Sequence, residues 1–353
     1  MIAHNNLGTV LRENRDFISS DALKMQYAQM PELEPFRTPE FDDKSFRDTR
    51  YTVLYLADSI TVNSPKLFNS YIRWFIDILN GLHLPLSYLE VSLTSIASVA
   101  KTYVDAKYGE TIDEYIQQGL SVMHENGPVP MNSKSTLLTC HMENYLNFLL
   151  EGNRHAASML IDDLIDQQFS VEQIYVDIFQ ESQYNLGKLW QSNQISVAEE
   201  HYCTASTQLI MGQLYPLIFA TPKNDRVFVG ACIGGELHEL GIRMVSDFFE
   251  LEGWNSYYLG ANTPLRGIID TVVAKKPDVI GLSTTMGYHI SDLIKTIDAI
   301  RKNPSCQTVK ILVGGYPFLT DPDLWKEVGA DGTASNAIKA IELGKHLVQL
   351  ESR

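Results

Sequence analysis

The sequence predicts a multidomain protein: an all-α N-terminal domain, a four-helix bundle, and an α/β domain with a doubly wound, five-stranded parallel sheet of the Rossmann-like kind. Three observations predict it. After Pro222, short apolar runs at 227–233, 254–259, 279–283, 309–314 and 331–334 alternate with segments of helical period, the pattern of a buried parallel sheet. Between 136 and 219, long segments carry apolar residues at spacings of three and four, as a bundle requires. Before 123 the same spacing recurs without strand alternation. Gly127-Pro128-Val129-Pro130 and Pro222-Lys223-Asn224-Asp225 punctuate the chain, which gives domains at 1–130, 131–221 and 222–353.

In order, residues 1–50 are polar and mixed. A short amphipathic helix is predicted over 20–29, then an extended arm, because Pro31, Pro35 and Pro39 stand too close together for a continuous helix. From Phe46 to Met123 five or six helices are expected, with Pro65 opening one of them and Pro85-Leu86-Ser87 marking the next turn. Tyr51, Tyr55, Tyr71, Trp74, Phe75 and Tyr103 make that domain unusually aromatic. Bundle helices are predicted over 136–150, 154–167, 171–192 and 196–219.

The chain of 353 residues has a formal charge of −15, and residues 1–130 alone hold 11 Lys and Arg against 17 Asp and Glu. A nucleic-acid surface needs a clustered positive field, so DNA is not an expected partner. Cys140, Cys203, Cys232 and Cys306 are scattered, with no paired spacing, and point to a reducing, cytoplasmic setting. Neither a signal-peptide plan at the start nor a long apolar stretch is present, so no membrane is expected.

The chemistry concentrates at Gly234-Gly235-Glu236-Leu237-His238-Glu239-Leu240-Gly241, directly after the first strand. Ligands of open α/β sheets bind at the carboxyl ends of strands. A carboxylate beside a strand-end imidazole can hold one ring nitrogen and leave the other free to coordinate a metal. Two further strand ends carry small or hydroxylated residues: Ser283-Thr284-Thr285, with 41 residues between Gly241 and Ser283, and Gly314-Gly315, with 28 residues between Thr285 and Gly314.

These motifs, at these spacings, resemble the signature of cobalamin-binding domains that hold B12 with its own nucleotide base displaced: Asp-x-His-x-x-Gly, Ser-x-Leu, Gly-Gly. The resemblance implies that His238 is the lower ligand of cobalt, oriented by Glu236, and that Gly241, Ser283, Thr285, Gly314 and Gly315 accommodate the displaced tail. Glu236 and Thr285 depart from the commoner Asp and Leu. In the bundle, Trp190 is followed by Val197, Glu200 and His201 at seven, ten and eleven residues. That set resembles the cap of the CarH family of B12-dependent photoreceptors. It implies that Trp190 and Val197 enclose the adenosyl group of adenosylcobalamin, that Glu200 hydrogen-bonds it, and that His201 becomes the upper cobalt ligand after photolysis.

The resemblance covers 131–353 and stops there, since CarH-type repressors begin with a basic helix-turn-helix. The N-terminal segment around Leu67-Phe68-Asn69-Ser70-Tyr71-Ile72-Arg73-Trp74 resembles a domain of other bacterial B12 sensors, among them photocobilins, which also hold biliverdin. No Cys precedes Cys140, so any bilin there is held without a thioether. The implied function is a non-enzymatic light sensor whose output is a homo-oligomer or a signalling partner. The alternatives are a corrinoid methyl carrier of a methyltransferase system and a light-independent B12-sensing adaptor.

Overall fold

A computed structural model describes residues 2–124 and 138–351. The linker read at Gly127-Pro128-Val129-Pro130 lies outside the described residues. The chain divides into two compact units: Met1–Gly127 with Met286–Ser291 and Thr320–Val328, and Pro128–Thr285 with Asp292–Leu319 and Gly329–Arg353. Among the described residues no helix is long and apolar enough to cross a membrane.

The first unit contains α1 (Ile2–Glu13), α2 (Arg15–Gln29), α3 (Pro39–Thr61), α4 (Pro65–Gly81), α5 (Ser87–Ala100) and α6 (Gly109–Val122). The expected extended arm is not extended. Pro31–Phe36 winds into a 3-10 helix that buries Leu33, and α3 begins at once, with the Thr38 hydroxyl accepting from the Phe41 amide at 3.2 Å and Pro39 in the first turn. At the first helical position proline helps a helix start, so Pro31 and Pro39 mark two helix openings, while Pro35 lies inside the 3-10 helix. Leu7, Leu11, Val53, Leu56, Ile60, Phe68 and Ile72 are wholly buried in this unit's core. Its aromatic residues pack on one another: Tyr55 stacks on Tyr71 at 4.0 Å between centroids, and Tyr71 lies 5.9 Å from Trp74.

The segments Met286–Ser291 and Thr320–Val328 join this unit through polar contacts. Fully buried Asp58 receives both Oδ contacts from Arg12 Nη1 at 3.0 Å, the Ser291 amide at 3.1 Å and the Ser291 hydroxyl at 2.6 Å. Arg12 also donates to the Tyr288 carbonyl at 2.8 Å, and Tyr288 stacks on Tyr51. Asp321 accepts from Ser64 Oγ at 2.6 Å and Lys66 Nζ at 3.2 Å.

The second unit opens with the bundle: α7 (Thr139–Leu150), α8 (Arg154–Asp166), α9 (Val171–Ile174), α10 (Glu181–Gln191), α11 (Val197–Gln213) and α12 (Tyr215–Ile218). Between α9 and α10 the chain forms a π-helix, Tyr175–Gln180, in the segment where one regular helix was expected. Wider turns of this kind shift the side-chain register. Here Tyr175, Ile178 and Phe179 are buried. Ser170 with Gln173, and Ser196 with Glu199, form capping boxes that start α9 and α11.

The rest is β1 (Val227–Cys232), α13 (Leu240–Leu251), β2 (Asn255–Tyr258), α14 (Leu265–Lys275), β3 (Val279–Ser283), α15 (Ile290–Lys302), β4 (Lys310–Gly314), α16 (Tyr316–Thr320), α17 (Leu324–Glu327), β5 (Gly332–Thr333) and α18 (Ala337–Glu351). All five strands are parallel in the order β2-β1-β3-β4-β5. The doubly wound class read from the alternation of apolar runs and helices is the class observed. One hydrophobic core runs from bundle to sheet, with Tyr145, Tyr175 and Phe179 continuing into Phe228, Phe248 and Phe249.

At that junction the buried Asp247 carboxylate accepts from the Tyr175 hydroxyl at 3.0 Å. Burial pushes its pKa up to about 6, against hydrogen bonds from Tyr175 and Tyr215 and the charge of Arg243. A raised folded-state pKa stabilises the fold fully below the ordinary value near 3.8, and that contribution is lost as pH rises through about 6. Asp247→Asn is therefore expected to gain stability relative to wild type between about pH 4 and about pH 7, on the order of 3 kcal/mol at 1.4 kcal/mol per unit. Urea unfolding of both proteins at the two pH values measures it. A difference independent of pH contradicts it.

Candidate functional site

Strand register brings the three sequence motifs together. Cys232 of β1 is level with Ser283 of β3, which is level with Gly314 of β4, so the loops beyond them leave the same edge of the sheet side by side. The Ile233 amide donates to the Ser283 carbonyl at 3.3 Å and the Thr284 amide to the Gly314 carbonyl at 3.0 Å, which continues the pairing into the loops. Chain order reverses between β1 and β3, the point where open sheets leave a crevice for a ligand.

Glu236 is the centre of that edge. It is wholly buried; its Oε1 lies 2.5 Å from His238 Nδ1 and accepts from the His238 amide at 3.0 Å, while Oε2 accepts from the Thr285 amide at 2.7 Å and lies 3.5 Å from Thr284 Oγ1. One carboxylate thus fixes the imidazole of the first loop and the backbone of the second. The His238 side chain is 58% exposed, and Nε2 is the ring nitrogen not engaged by Glu236. The hydrogen bond to Glu236 raises the His238 pKa, burial opposes it, and the charges of Glu236 and Glu200 add to the rise. Chemically this is one oriented imidazole nitrogen for a metal. Among the described residues no group of three or more His, Cys, Asp or Glu side chains forms a metal site.

The glycines differ in their reasons. A Cβ on Gly315, at φ +109°, would meet the Thr284 carbonyl oxygen at 1.9 Å, so the neighbouring loop alone requires glycine there. On Gly241 or Gly314 a Cβ would meet nothing within 4 Å. Crowding by protein does not explain those two, and the open space beside them suits a bound group. Ser283 is buried at the end of β3, and Thr285 is half-buried.

On the bundle side, Trp190 lies near the end of α10 and is half-buried; Val197 opens α11, 54% exposed. Glu200 and His201 follow in the first turn, with His201 Nδ1 2.5 Å from Glu200 Oε2 and its side chain 75% exposed. Thr204 Oγ1, one turn on, donates to Glu200 Oε1 at 2.8 Å.

Sequence reasoning missed three polar groups. Thr284 is fully buried beside Glu236; Glu239 bridges three elements; Gln208 reaches Glu239 from α11 at 2.8 Å. Glu239 stood within the octapeptide, where an acid directly after His238 was the available signal. Gln208 had none, because its partner lies 31 residues away.

Residues 226–342 match the family model described as a B12 binding domain, and residues 142–215 match a second B12 binding domain model. The helical and sheet parts of the second unit thus form a B12-binding module. The chain is 28% identical over 123 residues to the dimethylamine corrinoid protein of Methanosarcina barkeri, covering 35% of this chain and 56% of that one. Over 123 residues it is also 28% identical to the HTH-type transcriptional repressor CarA of Myxococcus xanthus, covering 35% of this chain and 41% of that one. It therefore spans little more than half the length of the first relative and less of the second. The solved structure of the Methanosarcina barkeri monomethylamine corrinoid protein superposes with a TM-score of 0.52 at 17% identity, over 58% of this chain and 96% of that one, a likeness of fold.

Proposed function

We propose that the protein is a light-sensing, non-enzymatic cobalamin photoreceptor that binds adenosylcobalamin. The observation that supports this reading is the hydrogen bond from Gln208 of α11 to Glu239 at 2.8 Å, which holds the helix of Glu200 and His201 against the His238 loop. In this reading His238 Nε2 is the lower ligand of cobalt, Glu236 holds Nδ1, and Gly241, Ser283, Thr285, Gly314 and Gly315 line the groove for the tail. Trp190 and Val197 enclose the upper face, and Glu200 accepts hydrogen bonds there. The cofactor supplies the photochemistry, cleavage of its cobalt–carbon bond by visible light. His201, exposed and hydrogen-bonded to Glu200, is then free to serve as the upper ligand.

The division into a helical domain at 1–130, a cap at 131–221 and a cobalamin-binding domain at 222–353 belongs to this proposal. The helical domain is its output module or the site of a second chromophore, biliverdin, and the stacked Tyr55, Tyr71 and Trp74 rings support an aromatic site there. The output is a change of homo-oligomer or of a signalling partner in the cytoplasm, without DNA.

Similarity to a dimethylamine corrinoid protein favours a second reading, a corrinoid methyl carrier. Protein loaded with adenosylcobalamin in the dark and exposed to green light separates the two. The photoreceptor reading expects a changed visible spectrum within seconds and a lit product with two imidazole ligands, reduced to one in His201→Ala. A lit product identical in wild type and His201→Ala removes His201 from the mechanism, and exchange of methyl groups with a methyltransferase favours the carrier.

A further inference from the structure

Glu239 follows His238 directly and stands at the start of α13. Its two carboxylate oxygens face different elements. Oε2 accepts from the Tyr258 hydroxyl, at the end of β2, at 2.7 Å and from the Ala261 amide at 2.8 Å. Gly260, at φ +82°, passes so close that a Cβ there would lie 3.3 Å from Oε2, so the turn beyond β2 is built around this carboxylate. Oε1 accepts from Gln208 Nε2 of α11 at 2.8 Å.

Gln208 lies on the same face of α11 as Glu200 and Thr204, since positions four and eight residues apart line up along a helix. Thr204 donates to Glu200. Polar side chains therefore line one face of α11 from the Glu200–His201 turn through Thr204 to Gln208, which reaches across to Glu239, the residue after His238. The sheet limb of Glu239 fixes the loop; the cap limb fixes the height of α11 above it.

We propose that Glu239 is a positioning residue that sets the spacing between His238 and the Glu200–His201 end of α11, and thereby selects cobalamins by the size of their upper substituent. This rests on the cobalamin reading of the same site. A cap tied at one height accommodates a large upper group and leaves a small one under-packed. Untying it removes the preference without touching either the lower imidazole or the tail groove.

The test compares dark dissociation constants of adenosylcobalamin and methylcobalamin, by absorbance titration of the full chain, for wild type, Gln208→Ala, Tyr258→Phe and Glu239→Gln. Loss of one hydrogen bond to a charged group corresponds to about tenfold in an equilibrium constant. Gln208→Ala and Glu239→Gln are expected to lose about tenfold in adenosylcobalamin affinity relative to methylcobalamin. Tyr258→Phe, on the sheet limb alone, keeps the wild-type ratio within about twofold. A merely structural role lowers both affinities together and leaves the ratio unchanged in every variant, which overturns the proposal. If wild type binds neither cobalamin, the cobalamin reading fails and takes this proposal with it.

Discussion

His238→Ala is expected to remove the protein's axial nitrogen from bound cobalamin and to weaken retention severely. The physical reason lies in Glu236. A wholly buried carboxylate is costly unless its hydrogen-bonding capacity is used, and here it is used on the His238 ring and amide and on the Thr285 amide. That investment makes sense if the ring must present Nε2 in one orientation. Loss of such an orienting partner commonly costs about 10–100-fold in metal affinity, so Glu236→Gln is expected within that range and His238→Ala beyond it. Equilibrium dialysis with cobalamin measures both. Equal affinities for wild type and His238→Ala would remove His238 from the site.

The second large effect concerns the first unit. Asp58→Ala is expected to destabilise it by about 3–5 kcal/mol, because Arg12 keeps its charge in a largely buried place with its carboxylate gone. The Ser291 amide and hydroxyl lose their acceptor at the same time. Against a total stability of about 5–15 kcal/mol, that is enough to unfold part of the population at moderate temperature. Chemical denaturation of the full chain with Trp190 and Trp254 replaced by phenylalanine, so that tryptophan fluorescence reports Trp74 and Trp325 of the first unit, gives the magnitude. Arg12→Met in the Asp58→Ala background should restore part of the loss by removing the charge that Asp58 balances. A change under about 1 kcal/mol in the single variant contradicts the account.

The sheet was legible because each buried strand is a short apolar run between turn residues, and β3 falls on Val279–Ser283 as the sequence predicts. The same runs set the register that aligns Cys232, Ser283 and Gly314, so the main site was readable wherever its residues sit at strand ends. Three things were not. Pro31, Pro35 and Pro39 read as an arm, but proline at a first helical turn looks the same in sequence as proline that ends a helix. The π turn at Tyr175–Gln180 begins at a tyrosine whose hydrogen-bond partner, Asp247, lies 72 residues away, beyond the reach of local periodicity. The inclusion of Met286–Ser291 in the first unit rests on contacts between residues far apart in the chain, among them Asp58 with Ser291 and Tyr51 with Tyr288.

The central claim, that an imidazole of this chain replaces cobalamin's own base on cobalt, is tested most directly by electron paramagnetic resonance of the bound cobalt(II) form in protein labelled with nitrogen-15 histidine. An axial histidine nitrogen predicts that the superhyperfine triplet of unlabelled protein becomes a doublet on labelling, and that the doublet is absent from labelled His238→Ala. A triplet that persists unchanged in the labelled protein means that the axial nitrogen comes from the cofactor's own base, and contradicts the account.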